Sequence, residues 1–318
     1  MNLDELRSLR DRVATEIGKA VQGQDEVVEL LLVSLFARGH CLLEGPPGTA
    51  KTLLAQSLAA ALHLDFNRIQ FTPDLMPGDV IGSNIFDFNA SRFNLVKGPI
   101  FTDILLTDEI NRAPPKTQAA LLQVMNERNV TIDGVDYPVG DVFFTVATQN
   151  PLEQQGTYPL PEAQLDRFLF KLVIDFPDEA AELSILKRHA GQALEHDARK
   201  AAIMPVAGLE EIRAGQKLID EIRLDDEILR YVLALARATR SEAEIAHGVS
   251  TRAADALCGA VRAKAALDGR DYAIPDDVKL LFVSTMRHRI VLSPTAEIEG
   301  RSPAAVLSSV LEQIPAPR

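Results

Sequence analysis

The stretch from His40 to Leu54, HCLLEGPPGTAKTLL, constrains this chain more than any other. A short apolar run, Cys41-Leu42-Leu43, reads as a buried parallel strand, a loop with two glycines and two prolines follows, and Lys51-Thr52 opens an apolar helix. Strand, glycine-rich loop and helix in that order make a phosphate cradle running from Gly45 through Pro46, Pro47, Gly48, Thr49 and Ala50 to Leu53. Gly45 and Gly48 let backbone N–H groups turn toward phosphate oxygens. Lys51 supplies a point charge near the β and γ phosphates, Thr52 a hydroxyl ligand for Mg²⁺, and the helix N-terminus the positive end of its dipole. Ala50 stands where the usual pattern has its last glycine, which predicts a negative φ there, since alanine is strained in the left-handed region. A chance glycine-rich turn before a helix competes with this reading, and the rest of the chain decides between them.

The chain of 318 residues is long enough for about two domains, and 47% hydrophobic content can give each a core. Its formal charge of −12 argues against nonspecific wrapping of nucleic acid, which draws its affinity from many Lys and Arg contacts to phosphate. The N-terminus, MNLDELRSLRDRV, is charged and amphipathic rather than a signal peptide. No apolar run approaches the roughly 20 residues that cross a bilayer, so the expectation is a cytoplasmic protein without a membrane span. Cys41 and Cys258 read as small core residues, and the six histidines are scattered without partners at catalytic spacing.

Ahead of the cradle, residues 2 to 20 show helical periodicity, which breaks at Val21-Gln22-Gly23-Gln24 before a second apolar helix from Asp25 to about Arg38. The Gln22-Gly23 turn is either a plain hinge or a place where backbone packs against an adenine. After the loop helix (Lys51 to Leu62) and a strand from Phe66 to Phe71, Asn84 to Phe88 and Arg92 to Val96 read as an inserted β-hairpin. The second core strand, Asp103 to Glu109, is apolar and ends in two acids, at the end where open α/β sheets bind ligands. Asp108 would hold Mg²⁺ and Glu109, on the other side of the strand, would polarise an attacking water; an ordinary helix cap accounts for Asp108 but not for both. A helix (Pro115 to Glu127) and a second hairpin around Asp133-Gly134 precede the strand Val142 to Thr148, whose end carries Asn150. That amide could orient the water beside the γ-phosphate or simply start a turn.

A strand from Phe170 to Phe176 closes this part of the chain. Beyond Pro177 no strand pattern appears, and helices follow one another: Asp178 to Ala190, Leu209 to Ile222, Asp226 to Thr239, Ser250 to Leu267, Pro275 to Met286 and Pro303 to Ile314. The polar segment Gly191 to Lys200 reads as a linker among them. Ser250 as N-cap puts Arg252 in a first helical turn, where it opposes the helix dipole and asks for an anionic partner or a nearby carboxylate.

In this order, phosphate loop, Asp-Glu strand, Asn-ended strand, Arg167 and a helical region carrying Arg252, the chain resembles the AAA+ ATPases. More closely it is similar to the MoxR family, of the branch with inserts in helix 2 and before sensor 1, through VQGQDEVVELLLVSL, EGPPGTAKTLLA, RIQFTPDLMPGDVIG, TDEINRAPPKTQAALLQVMNE, ATQNP, LPEAQLDRFLFK and STRAADAL. The resemblance spans nearly the whole chain. It implies a P-loop α/β core over residues 1–176, a parallel sheet with helices on both faces and two inserted hairpins, followed by an all-α lid over 177–318, with nucleotide between them. Residue by residue it implies Walker A at Lys51 and Thr52, Walker B at Asp108 and Glu109, sensor 1 at Asn150, an arginine finger at Arg167 serving the neighbouring subunit, and sensor 2 at Arg252. The chain departs at Pro46 and Thr49, where relatives carry valine and leucine, and at Thr251, where many have proline.

The expectation that follows is a Mg²⁺-dependent ATPase acting as a homo-oligomeric ring, a hexamer, that remodels partner proteins carrying von Willebrand factor A domains. An ATP-gated scaffold whose binding state drives partner assembly is the alternative, and a DNA motor is disfavoured by the net charge. The two hairpins are expected to carry client contact, the first through Phe86, Phe88 and Phe93.

Overall fold

The computed structural model of the chain describes residues 1–89, 91–151, 156–189 and 203–317, and the expected linker Gly191 to Lys200 lies outside them. Two helices lead in. Helix α1 (Leu3–Gly18) buries Leu6, Leu9, Val13 and Ile17, the stripe its periodicity predicts, and Asn2 caps it by accepting from Glu5 N while Glu5 accepts from Asn2 N. Helix α2 (Asp25–Phe36) is apolar nearly all round, and it is buried nearly all round.

The chain then runs β1 (Cys41–Glu44), α3 (Lys51–Ala61), β2 (Phe66–Gln70), α4 (Pro77–Ile81), β3 (Gly82–Asp87), β4 (Arg92–Lys97), β5 (Ile104–Asp108), a 3₁₀ turn (Ile110–Arg112), α5 (Pro115–Glu127), β6 (Asn129–Ile132), β7 (Val135–Pro138), β8 (Phe144–Gln149), α6 (Glu162–Leu165) and β9 (Phe170–Val173). Five of these strands form one parallel sheet in the order β2-β5-β8-β1-β9. Parallel strands need crossovers that cover both faces, and the side chains divide accordingly. Ile104 and Leu106 of β5 join one apolar cluster with Leu43 and Val146, while Leu105 between them joins a second with Leu42 and Ala147.

The register sets out the functional end. Gln70 pairs with Asp108 and Glu44 with Gln149, so the strands finish together at one edge. The chain leaves β1 there, crosses to the far strand β2, returns through β5 and β8, and passes to β9 on the other side. That reversal makes the end of β1 the topological switch point, where open α/β sheets take their ligands.

Both expected hairpins are present, β3 against β4 and β6 against β7. Asp133 and Gly134 both have positive φ, the conformation an Asp-Gly turn favours. Asn84 Nδ2 donates to Asp133 Oδ2 at 2.8 Å and ties the first hairpin to the tip of the second. Phe86 sits edge-on to Phe88 and Phe93, centroids 5.2 and 5.1 Å apart, and Phe88 and Phe93 are exposed by 85% and 68%.

The C-terminal region is helical: α7 (Glu179–His189), α8 (Leu209–Asp220), α9 (Asp226–Ser241), α10 (Thr251–Leu267), α11 (Pro275–Met286), α12 (Pro294–Ile298) and α13 (Pro303–Gln313). It also contains strand pairing that the sequence reading lacked, an antiparallel ribbon of β10 (Ile245–His247) and β11 (Val291–Leu292). Segments of three and two residues are too short to show an alternation. Helix α1 packs on both α3 and α10, and α2 on α8, α10 and β9, so one apolar core runs from the sheet into the helical region.

Candidate active site

Glycine is required at the mouth of the phosphate loop by close approach. Gly45 N donates to Gln149 O at 3.3 Å, and a Cβ at this position would lie 2.2 Å from Ile174 O. Gly48 turns at φ +86°. Ala50, expected at negative φ, is left-handed at φ +60° and ψ 21°, a correction to the sequence reading. The turn into α3 demands that conformation whichever residue occupies it, because Ala50 must offer its carbonyl to Leu54 N as the first helical acceptor. For a residue with a Cβ this costs on the order of 1–2 kcal/mol.

Lys51 Nζ is held over the loop, donating to Gly45 O (3.0 Å), Pro46 O (2.7 Å) and Thr49 Oγ1 (3.1 Å). Burial pushes its pKa down, while Asp108 and Glu109 push it back up. These groups line one cleft of about 340 Å³ with Pro47 to Leu53, Asn150 and Thr148. Its size suits a phosphorylated ligand.

Asp108, the last residue of β5, is buried; its Oδ1 accepts from Thr148 Oγ1 at 3.2 Å and its Oδ2 from Arg68 Nε at 2.6 Å. Glu109 has left the strand. Its backbone turns left-handed at φ 55°, and its N–H donates to Thr148 Oγ1. The Glu109 carboxylate accepts from Gln70 Nε2 at 2.8 Å and lies 3.0 Å from Arg112 Nε. Both acids therefore stand at the carboxyl edge of the sheet, as their place at the end of an apolar strand predicts.

The Gln22-Gly23 turn sits at the same edge. Gly23 has φ +71°, and a Cβ there would meet Ala181 Cβ at 3.1 Å and Pro177 Cβ at 3.3 Å. Gln24 Nε2 donates to Asp175 O, just beyond the Ile174 that abuts Gly45. Among the described residues Gln22 Oε1 is buried without a hydrogen-bond donor, which suits an incoming amino group such as that of adenine.

Arg167 and Arg252 are elsewhere: Arg167 was expected to serve a neighbouring subunit, whereas the expectation that Arg252 shares one site with Lys51 of the same chain is corrected. Arg167 precedes β9, next to Leu169, whose N–H donates to the carbonyl of His40 at the start of β1. It is thus at the amino edge of the sheet. From there to Gly45 the strand covers about 17 Å at ~3.3 Å per residue, too far for one side chain to reach the phosphate loop. Arg252, in the first turn of the helix that Ser250 caps as expected by accepting from Ala253 N, lies with Arg167 in a second cleft of about 360 Å³ that Arg38, Arg128 and Arg289 also line. The carboxylate anticipated beside Arg252 is Asp166, 3.6 Å from its Nε.

Residues 40–170 match the family described as ATPases associated with various cellular activities (AAA), and residues 237–310 match the AAA lid domain. Chaperone MoxR1 of Mycobacterium tuberculosis is 40% identical over 97% of this chain and 82% of its own length. Protein MoxR of Methylorubrum extorquens is 30% identical over 99% of this chain and 97% of its own. The chain belongs to the MoxR family of AAA+ ATPases. A crystal structure of an ATPase candidate from Cytophaga hutchinsonii, 37% identical, superposes on this MoxR-family chain with a TM-score of 0.90 over 99% of it and 97% of that structure.

The cleft fits the groups that a MoxR-family fold implies. Thr52 and the buried Asp108 offer a hydroxyl and a carboxylate in one cleft, the oxygen donors that Mg²⁺ prefers, and the loop presents Lys51 and a helix N-terminus to phosphate. Sequence reasoning missed Arg68, Gln70 and Arg112 around the two acids. The signal existed in part: Arg68 and Gln70 lie two apart on β2, hence on one face, and Gln70 is in register with Asp108. Nothing in the chain's order foretold that Arg289, far along the lid, would meet Asp166.

Proposed function

We propose that the protein is a Mg²⁺-dependent ATPase that works as a ring, a hexamer of this chain, in the cytoplasm, coupling hydrolysis to chaperone-like remodelling of partner proteins with von Willebrand factor A domains. Residues 1–176 serve as the ATPase core and 177–318 as the lid. The observation that carries this reading is the separation of the site into two halves. The phosphate loop, Asp108, Glu109 and Asn150 line the cleft at one edge of the sheet, and Arg167 and Arg252 line the other. A second copy that turns its amino edge toward the first copy's cleft brings them together, and head-to-tail contacts of this kind close into rings.

Within the cleft, Lys51 and the loop N–H groups bind the β and γ phosphates of ATP, and Gln22 and Gly23 pack against the adenine. Thr52 and Asp108 would hold Mg²⁺, which would supply positive charge to the phosphates. Asn150 orients the attacking water and Glu109 accepts its proton, once freed from Gln70 and Arg112. Arg167 and Arg252 of the neighbour stabilise charge on the transferred phosphoryl group. The paired hairpins, with Phe86, Phe88 and Phe93 at the tip, meet the client.

An arginine supplied from a neighbour is worth about 10³ to 10⁵ in rate. Arg167→Ala should therefore abolish turnover and leave ATP affinity unchanged. Turnover per subunit that does not depend on concentration and survives this substitution would rule out the ring mechanism.

A further inference from the structure

The loop that carries Arg167 is wrapped around a guanidinium from the lid. Arg289, just past α11, is 5% exposed. Its Nε donates to Asp166 Oδ1 at 2.6 Å, and its Nη2 to Asp166 O (3.1 Å) and Phe168 O (2.8 Å). Its Nη1 donates to Leu169 O (3.1 Å) and to Thr285 O. All five N–H groups of the fork thus have acceptors, four of them within residues 166–169. The other carboxylate oxygen of Asp166 turns outward to Arg252, whose side chain is 65% exposed at the rim of the arginine cleft. One carboxylate therefore stands between a buried arginine and an exposed one. Arg167 follows it directly in the chain, with Nη1 donating to Leu122 O at 2.6 Å.

Anchoring the loop accounts for Arg289 and its carbonyl acceptors. It does not account for the oxygen of Asp166 that faces Arg252 rather than Arg289. Arg252 lies in the first turn of α10, where the helix dipole repels it, so a fixed carboxylate is what holds it near Arg167.

We propose that Asp166 and Arg289 are positioning residues that lock Arg167 of the α/β core and Arg252 of the lid into one preset cationic fork for the γ-phosphate of the neighbouring subunit's ATP. This rests on the reading that arginines act between subunits. Because Asp166 restrains the fork before the neighbour docks, less side-chain ordering is left to oppose transition-state stabilisation. The lid's attachment through Arg289 also makes its position a control on the finger.

The test uses mixed rings of full-length chains. Lys51→Ala subunits lack their own phosphate site but offer the arginines, and Arg167→Ala subunits do the reverse. Mixing the two should restore ATP turnover that neither has alone; failure to restore it overturns the ring reading itself. Asp166→Asn, which keeps an acceptor for Arg289, is then added to one partner or the other. On the Lys51→Ala subunit it should lower the restored turnover at least tenfold with KM for ATP unchanged, and on the Arg167→Ala subunit it should leave turnover within twofold. Restored turnover that is insensitive to Asp166→Asn in either partner refutes the positioning role. An equal loss from both partners refutes it too, by showing that Asp166 serves only the fold.

Discussion

Acid should loosen the amino edge of the sheet through His40. This ring is buried between β1 and its neighbours, with Nδ1 accepting from Thr145 N at 3.0 Å and Nε2 donating to Met125 O at 2.9 Å. Those two partners specify the neutral tautomer with hydrogen on Nε2, since a protonated Nδ1 cannot accept. Burial accordingly pushes the pKa from its ordinary 6.5 down to about 4. Between these values the unfolded chain binds the proton and the folded chain does not, so stability falls as pH falls through that window. Shifting from pH 7 to pH 5 therefore removes about 2 kcal/mol, from linkage between those two pKa values. Hydrogen exchange of the Thr145 amide reads this directly. Its protection factor, corrected for intrinsic exchange, should drop about twentyfold over that step. Carboxylates whose folded pKa is depressed, such as Asp220 beside Arg38, act with the same sign at lower pH, so the decisive quantity is a difference. His40→Gln can still donate to Met125 O or accept from Thr145 N and does not titrate, and it should show a flatter pH dependence than the parent by that same amount. Equal slopes in parent and variant would refute the assignment of the buried neutral imidazole.

Gly45→Ala places a Cβ 2.2 Å from Ile174 O, so the loop must shift by about an ångström; nucleotide binding by equilibrium titration should weaken at least 100-fold, and an intact affinity would contradict the packing of β1 against β9. Arg68→Gln removes the cation that occupies Asp108 Oδ2, which would compete with the proposed Mg²⁺. A charge-assisted hydrogen bond is worth about 1.5–3 kcal/mol, so the Mg²⁺ concentration that half-saturates ATP binding should fall about tenfold or more, and an unchanged or raised requirement is the contrary result. Replacing Phe86 and Phe93 with serine should leave ATP turnover within a few-fold while impairing remodelling of a partner protein, since both rings lie on the exposed hairpin. A loss of cooperative thermal unfolding in that variant would mean that they serve the fold.

The order of elements and the identity of the chemical groups were legible from the sequence because both depend on near neighbours. An apolar strand that runs into GPPGTAKT, or one that ends in Asp108-Glu109, carries its own local instructions: a buried backbone, a glycine where a side chain will not fit, an acid at the strand's end. The hairpin at Asp133-Gly134 and the cap at Ser250 were legible for the same reason. Ala50 was misread because residue preference was weighed without the turn that overrules it. What tertiary structure alone decided is which distant groups meet. The parallel pairing of β9 with β1 sets the phosphate loop, which follows β1, and Arg167, which precedes β9, at opposite edges of one sheet, and no spacing in sequence records which strands pair. Arg289 reaches Asp166 across 123 residues, and Arg68 reaches Asp108 only because β2 and β5 pair in parallel. Contacts of that range follow from how strands order and helices pack, which is a property of the whole core, and they determine whether an arginine faces its own nucleotide or is turned toward a neighbour's.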